Sequence, residues 1–139
     1  MGGTRRQSRE LALQALFFLD MNPEMGCEEG LNAFWEARED EDSTESAKDP
    51  FCMELVEGTL GIADEIDTLI NQFSKNWRIS RMPVVDRNIM RLATFELLKR
   101  SDIPPSVTIN EAVEIGKKYG TRDSGPFING ILDQIRLSM

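Results

Sequence analysis

The spacing of apolar side chains constrains this sequence more than any other feature. Between Pro50 and Ser74, the residues Phe51, Leu55, Thr59, Ile62, Ile66, Leu69, Ile70 and Phe73 recur every three or four positions. On a helix of 3.6 residues per turn, that spacing gathers them into one stripe. The same period runs through Leu11, Ala12, Ala15, Leu16 and Leu19, through Val85, Ile89, Leu92, Ala93 and Leu97, and through Phe127, Ile128, Ile131, Leu132 and Ile135. No segment sustains the strict alternation of a half-buried strand. The sequence predicts an all-α fold of about six or seven helices, and 139 residues are enough for one domain or two small bundles sharing a core.

Turn and capping residues set the boundaries. Thr4 can cap a first helix that runs to about Met21 and stops at Pro23 and Gly26. A short second helix, about Glu28 to Arg38, carries Leu31, Phe34 and Trp35. Pro50 suits the first position of a third, which runs to about Ser74; Gly58 and Gly61 weaken its middle and predict a bend or a close helix contact there. A fourth follows Trp77 and Met82-Pro83 and ends near Arg100. Its apolar face includes Glu96, a carboxylate that needs a partner, and a structural bond to a neighbouring helix end is preferred to a catalytic role. Pro104-Pro105 breaks the chain. Thr108-Ile-Asn-Glu111 then matches a capping box, which opens a fifth helix ending at Tyr119 and Gly120. Asp123 and Ser124 are good caps for the last.

The formal net charge of −8 argues against a nucleic-acid partner until it is mapped. Glu28 to Asp49 holds nine acids and two bases, which leaves the remainder of the chain at −1. Lys75 to Arg100 holds seven bases and two acids. Basic surface therefore survives outside one acidic block, whose core, Glu39 to Ser46, reads as a solvated loop.

Much chemistry is excluded. The absence of histidine removes histidine bases, histidine triads and histidine metal sites. Cys27 and Cys52 form no CxxC pair. No phosphate-binding loop, dinucleotide fingerprint or nucleophile elbow occurs. Asp64, Glu65 and Asp67 cluster on the polar side of a stripe and are weak evidence for a metal. Arg5 and Arg6 before an apolar run imitate a signal peptide, but Arg9, Glu10 and Gln14 interrupt it. No run approaches the length of a membrane span. These observations predict a cytoplasmic binding protein with no catalytic residues, cofactor or metal.

Two features fit binding. Arg5, Arg6 and Arg9 share an arc of about 100° at a helix start, where forked guanidinium donors and free backbone N–H groups suit phosphates. Solubilising surface is the other reading, and composition does not separate the two. At the second feature, Lys117, Lys118, Tyr119, Asp123, Ser124 and Phe127 combine bases, rings and short polar groups at a helix junction, the mixture that holds single-stranded RNA. The alternative there is a helix end with its dipole compensated and Phe127 in the core.

Four blocks resemble the NusB family of bacterial transcription antitermination factors. They are Arg5-Arg6-x-x-Arg9-Glu-x-Ala-x-Gln14-Ala-Leu-Phe17; Trp77 with Val85-Asp86-Arg87-x-Ile-x-Arg91-Leu-Ala-x-Phe-Glu96-Leu-Leu; Ile103-Pro-x-x-Val-x-Ile-Asn110-Glu-Ala-Val-Glu-Ile-x-Lys117-x-Tyr-Gly; and Asp123-Ser-x-x-Phe127-Ile-Asn129-Gly130-Ile-Leu-Asp. They span nearly the whole chain except about residues 22 to 50. The resemblance implies a single domain of two packed three-helix bundles, at about 4–74 and 83–138. It implies binding to boxA-type single-stranded RNA of nascent ribosomal RNA transcripts, jointly with ribosomal protein ten of the small subunit (NusE), in an antitermination complex with RNA polymerase. RNA roles carry over to Arg5, Arg6, Arg9, Lys117, Asp123, Ser124 and Phe127, and protein-partner roles to Phe17 and Asp86. Gly125-Pro126 departs from the polar or basic pair common in the family, which weakens a phosphate contact there. A homodimer of the free chain is a further expectation.

Two rival readings remain at this point. One is a helical RNA-binding domain like that preceding the catalytic domain of rRNA cytosine methyltransferases. The other is a protein-interaction module in which the arginines are plain surface.

Overall fold

The computed structural model describes residues 4–39 and 49–139. These residues form seven α-helices and no strand: α1 (Arg5–Met21), α2 (Cys27–Glu39), α3 (Pro50–Gly61), α4 (Ala63–Phe73), α5 (Val84–Lys99), α6 (Pro105–Tyr119) and α7 (Ser124–Ser138). Most of the expected acidic loop, 40 to 48, lies outside the described residues. The chain divides into two compact units, Met1–Glu57 and Gly58–Met139.

In the first unit, α1 buries Leu11, Ala12, Leu13, Ala15 and Leu16. The α1–α2 contact is aromatic: the Phe18 and Phe34 rings lie 5.8 Å apart, and the Arg38 guanidinium covers Phe34 at 5.5 Å. Arg38 also donates to Gln14 Oε1 at 3.1 Å. Asp49 stands directly before α3. Its carboxylate accepts from the backbone N–H of Phe51 at 3.3 Å and from the Ser8 hydroxyl on α1. One side chain thus caps α3, where N–H groups lack partners, and fastens it to α1.

In the second unit, α5 is buried along most of its length and packs against α4, α6 and α7. Asp67 on α4 takes a forked pair of bonds from Arg91 on α5, at 2.9 and 3.0 Å. That acid, from the cluster at 64 to 67, is held in an ion pair between helices.

Both expectations for the glycines of the third segment are realised. The helix breaks between Gly61 and Ala63, and a Cβ on Gly58 would stand 2.3 Å from the Phe95 ring, so the close approach requires glycine.

One boundary is corrected. The fifth segment begins at Pro105, not Thr108. Proline suits the first turn, where its missing N–H is not needed. Thr108 lies inside the helix and makes no capping box; its hydroxyl donates to Glu96 Oε1 at 3.1 Å. The carboxylate is 2% exposed, and a bond from a neighbouring first turn is what a buried acid requires. No helix among the described residues is long and apolar enough to cross a membrane.

Candidate nucleic-acid interface

In the first unit, a capping box starts α1. The Gln7 N–H donates to Thr4 Oγ1 at 3.1 Å, and the Thr4 N–H donates to Gln7 Oε1 at 2.9 Å. This fixes the turn that carries Arg5 and Arg6. Arg5 and Arg9, four residues apart, share a face, and both guanidinium groups lie over the Phe51 ring, at 4.6 and 5.3 Å. The arginine arc is uneven: Arg5 is exposed, Arg6 is half-buried, and Arg9 is 6% exposed. Stacking on an aromatic face suits the flat guanidinium group. Phe17 is exposed farther along α1, with exposed Met21 one turn on. The sequence did not point to Phe51 as the platform, because nothing local links it to residues 5 and 9.

In the second unit, Lys117, Lys118 and Tyr119 are exposed in the last turn of α6. The Lys118 ammonium lies 5.2 Å from the centre of the Tyr119 ring, and Lys117 reaches Glu114 Oε2 at 3.3 Å. Gly120 closes the helix where a Cβ would stand 2.3 Å from Ser124 Oγ and 2.8 Å from the Gly116 carbonyl oxygen. Ser124 organises the turn that follows. Its hydroxyl accepts from the Thr121 N–H at 2.9 Å and donates to Asp86 Oδ1 at 2.8 Å.

Ser124 is 1% exposed and Asp86 is 5% exposed. Neither offers an open surface; together they set the junction from within. Burial pushes the Asp86 carboxyl above its ordinary value, with the Ser124 hydrogen bond acting the other way. Asp123 is exposed, and its backbone N–H donates to Thr121 Oγ1 at 3.3 Å. Its side chain makes no capping bond, contrary to the capping role expected of it. Phe127 is half-buried on the first turn of α7.

Each unit therefore carries cations beside aromatic rings, the combination that binds phosphates and stacks bases. The profile of the NusB family matches residues 6–136. The chain belongs to the NusB family. The transcription antitermination protein NusB of Desulforapulum autotrophicum is 54% identical over 97% of this chain and 92% of its own length. Among solved structures, the chain is similar to NusB of T. maritima, with a TM-score of 0.81 and 39% identity, covering 99% of this chain and 93% of that one. It is also similar to a chain in the crystal structure of antitermination factors NusB and NusE in complex with dsRNA. There the TM-score is 0.80 and the identity 26%, with 97% of each chain covered. The all-α NusB fold read from the sequence is the fold observed.

Proposed function

We propose that this chain is a transcription antitermination factor, a cytoplasmic binding protein rather than an enzyme. It binds boxA-type single-stranded RNA of nascent ribosomal RNA transcripts together with ribosomal protein ten of the small subunit (NusE), within a complex that includes RNA polymerase. Family membership across residues 6–136 carries this reading; a similar chain was crystallised with NusE and dsRNA.

The side-chain environments support a division of labour. Arg5 and Arg6 contact phosphates from the start of α1, beside Arg9 on the Phe51 ring. Lys117 and Lys118 supply charge at the junction, Tyr119 and Phe127 supply rings, and Asp123 supplies an acceptor for a base edge. Ser124 and Asp86, both buried, act by shaping the junction; on this reading Asp86 influences the protein partner through the start of α5 and not by open contact. Phe17, exposed with Met21 on α1, is the apolar contact for NusE.

The test is a binding titration of the chain with a boxA-type single strand against a scrambled strand of equal length. A clear preference for the boxA-type strand supports the reading, and equal binding contradicts it.

A further inference from the structure

A groove of about 520 Å³ opens in the second unit, between the loop after α4 and one face of α7. Trp77, Phe127 and Pro126 give it apolar walls, and Lys75, Asn76 and Gln134 give it polar ones. Its volume lies within the roughly 300–1,000 Å³ of clefts that hold small groups.

The loop is held in place. The buried Ser74 hydroxyl donates to the Trp77 carbonyl oxygen at 2.5 Å, and the Ile79 N–H donates to Asn71 Oδ1 at 2.8 Å. These bonds fix the backbone around an indole that is 51% exposed. Tryptophan is highly buried on average, so a half-exposed indole on a pinned turn is informative.

Charge indicates the occupant. Lys75, Arg78 and Arg81 are exposed, and no acid falls between Lys75 and Val85. Across the groove, α7 has no acid before Asp133, which is paired with Arg136 at 2.6 Å. Rings for stacking, amides for a base edge and cations for phosphate together match single-stranded RNA.

We propose that the Trp77 groove, which shares Phe127 with the α6–α7 junction, takes an unstacked base of the bound RNA that flanks the sequence element held by the arginines and the rest of that junction. The proposal rests on the RNA-binding reading above. Trp77 stacks on the base, Gln134 and Asn76 meet its edge, and Lys75 neutralises the adjoining phosphate.

Because the chain has two tryptophans, a Trp35→Phe background leaves Trp77 as the one indole reporter. The probes are a boxA-type RNA and the same RNA extended by unpaired nucleotides on its 5′ or its 3′ side. One extended strand should quench Trp77 emission and bind more tightly than the unextended strand. Trp77→Ala should remove about 5- to 150-fold in affinity for that extended strand, the range of one stacked base, and Lys75→Glu should weaken it too. Trp77→Phe should keep most of the affinity, and melting curves would verify that each variant folds.

If the extended strands bind the parent and both variants equally, with Trp77 emission unchanged, the groove proposal is wrong and the RNA-binding reading stands. If no RNA binds the parent chain, both fail. If emission responds to ribosomal protein ten alone and not to RNA, the groove is a protein contact and the proposal is overturned.

Discussion

The Ser124 hydroxyl donates to Asp86 Oδ1 across 2.8 Å, with both residues buried. This bond ties the first turn of α7 to the first turn of α5, and through Thr121 it fixes the turn after α6. The family blocks bring Asp86 and Ser124 forward as contact residues, whereas here their side chains hold each other.

Asp86 gives a prediction with a defined sign. Its folded pKa lies above the ordinary 3.8, so ionisation costs stability. That contribution is complete below the unfolded value and is lost as pH rises through the folded value. Asp86→Asn keeps an acceptor for Ser124 and removes the titration. In urea melts, the wild type should lose stability relative to Asp86→Asn as pH rises from below 3.8 to neutrality. Asp86→Ala, which strands the Ser124 donor, should cost about 1–3 kcal/mol. A pH-independent difference between wild type and Asp86→Asn would contradict the account.

Gly120 and Gly61 should respond oppositely to alanine. At Gly120 the new methyl would overlap Ser124 Oγ and the Gly116 carbonyl, so Gly120→Ala should cost about 1–3 kcal/mol and weaken RNA binding. At Gly61 nothing lies within 4 Å of the added Cβ. Gly61→Ala should be neutral or stabilising by up to about 1 kcal/mol. Thermal melts of the two variants make the comparison.

The arginines should separate by burial. Arg9→Ala removes a buried side chain stacked on Phe51 and should cost about 1–2 kcal/mol. Arg5→Ala, at an exposed position, should cost at most about 0.5–1 kcal/mol, the range of an exposed cation–π contact, while weakening RNA binding. Replacing all three arginines together therefore confounds folding with binding. Paired melting and RNA titrations of the single variants resolve the two.

The thiols should differ sharply. Burial, reinforced by Asp49 and opposed by Arg38, pushes the Cys52 thiol up to about 12, and the thiolate is the reactive form. Cys27 is exposed. A disulfide reagent near neutral pH should label Cys27 quickly in the native protein and Cys52 only after unfolding. Equal native rates would refute this.

The helices were legible because burying one face imposes a period that survives in the sequence, as Ile66 and Ile70 or Ile128 and Ile135 illustrate. Boundaries were less legible where two starts compete. Thr108 and Glu111 form a good local capping pattern, yet Pro105 opens the helix earlier and the buried Glu96 takes the Thr108 hydroxyl. The candidate site was legible as residue types and not as environments. Spacing placed Arg5, Arg6 and Arg9 on one arc but could not show Phe51 folded beneath two of them. Nothing near Ser124 announced that Asp86, on another helix, would bury its carboxylate against it.

The most direct test of the central claim is the RNA titration repeated with and without ribosomal protein ten. The chain's limited positive charge predicts modest affinity alone, falling as salt rises. Adding the ribosomal protein should tighten binding of the boxA-type strand severalfold and leave the scrambled strand nearly unchanged. Equal affinity with and without the partner, or an equal gain for both strands, would contradict the account.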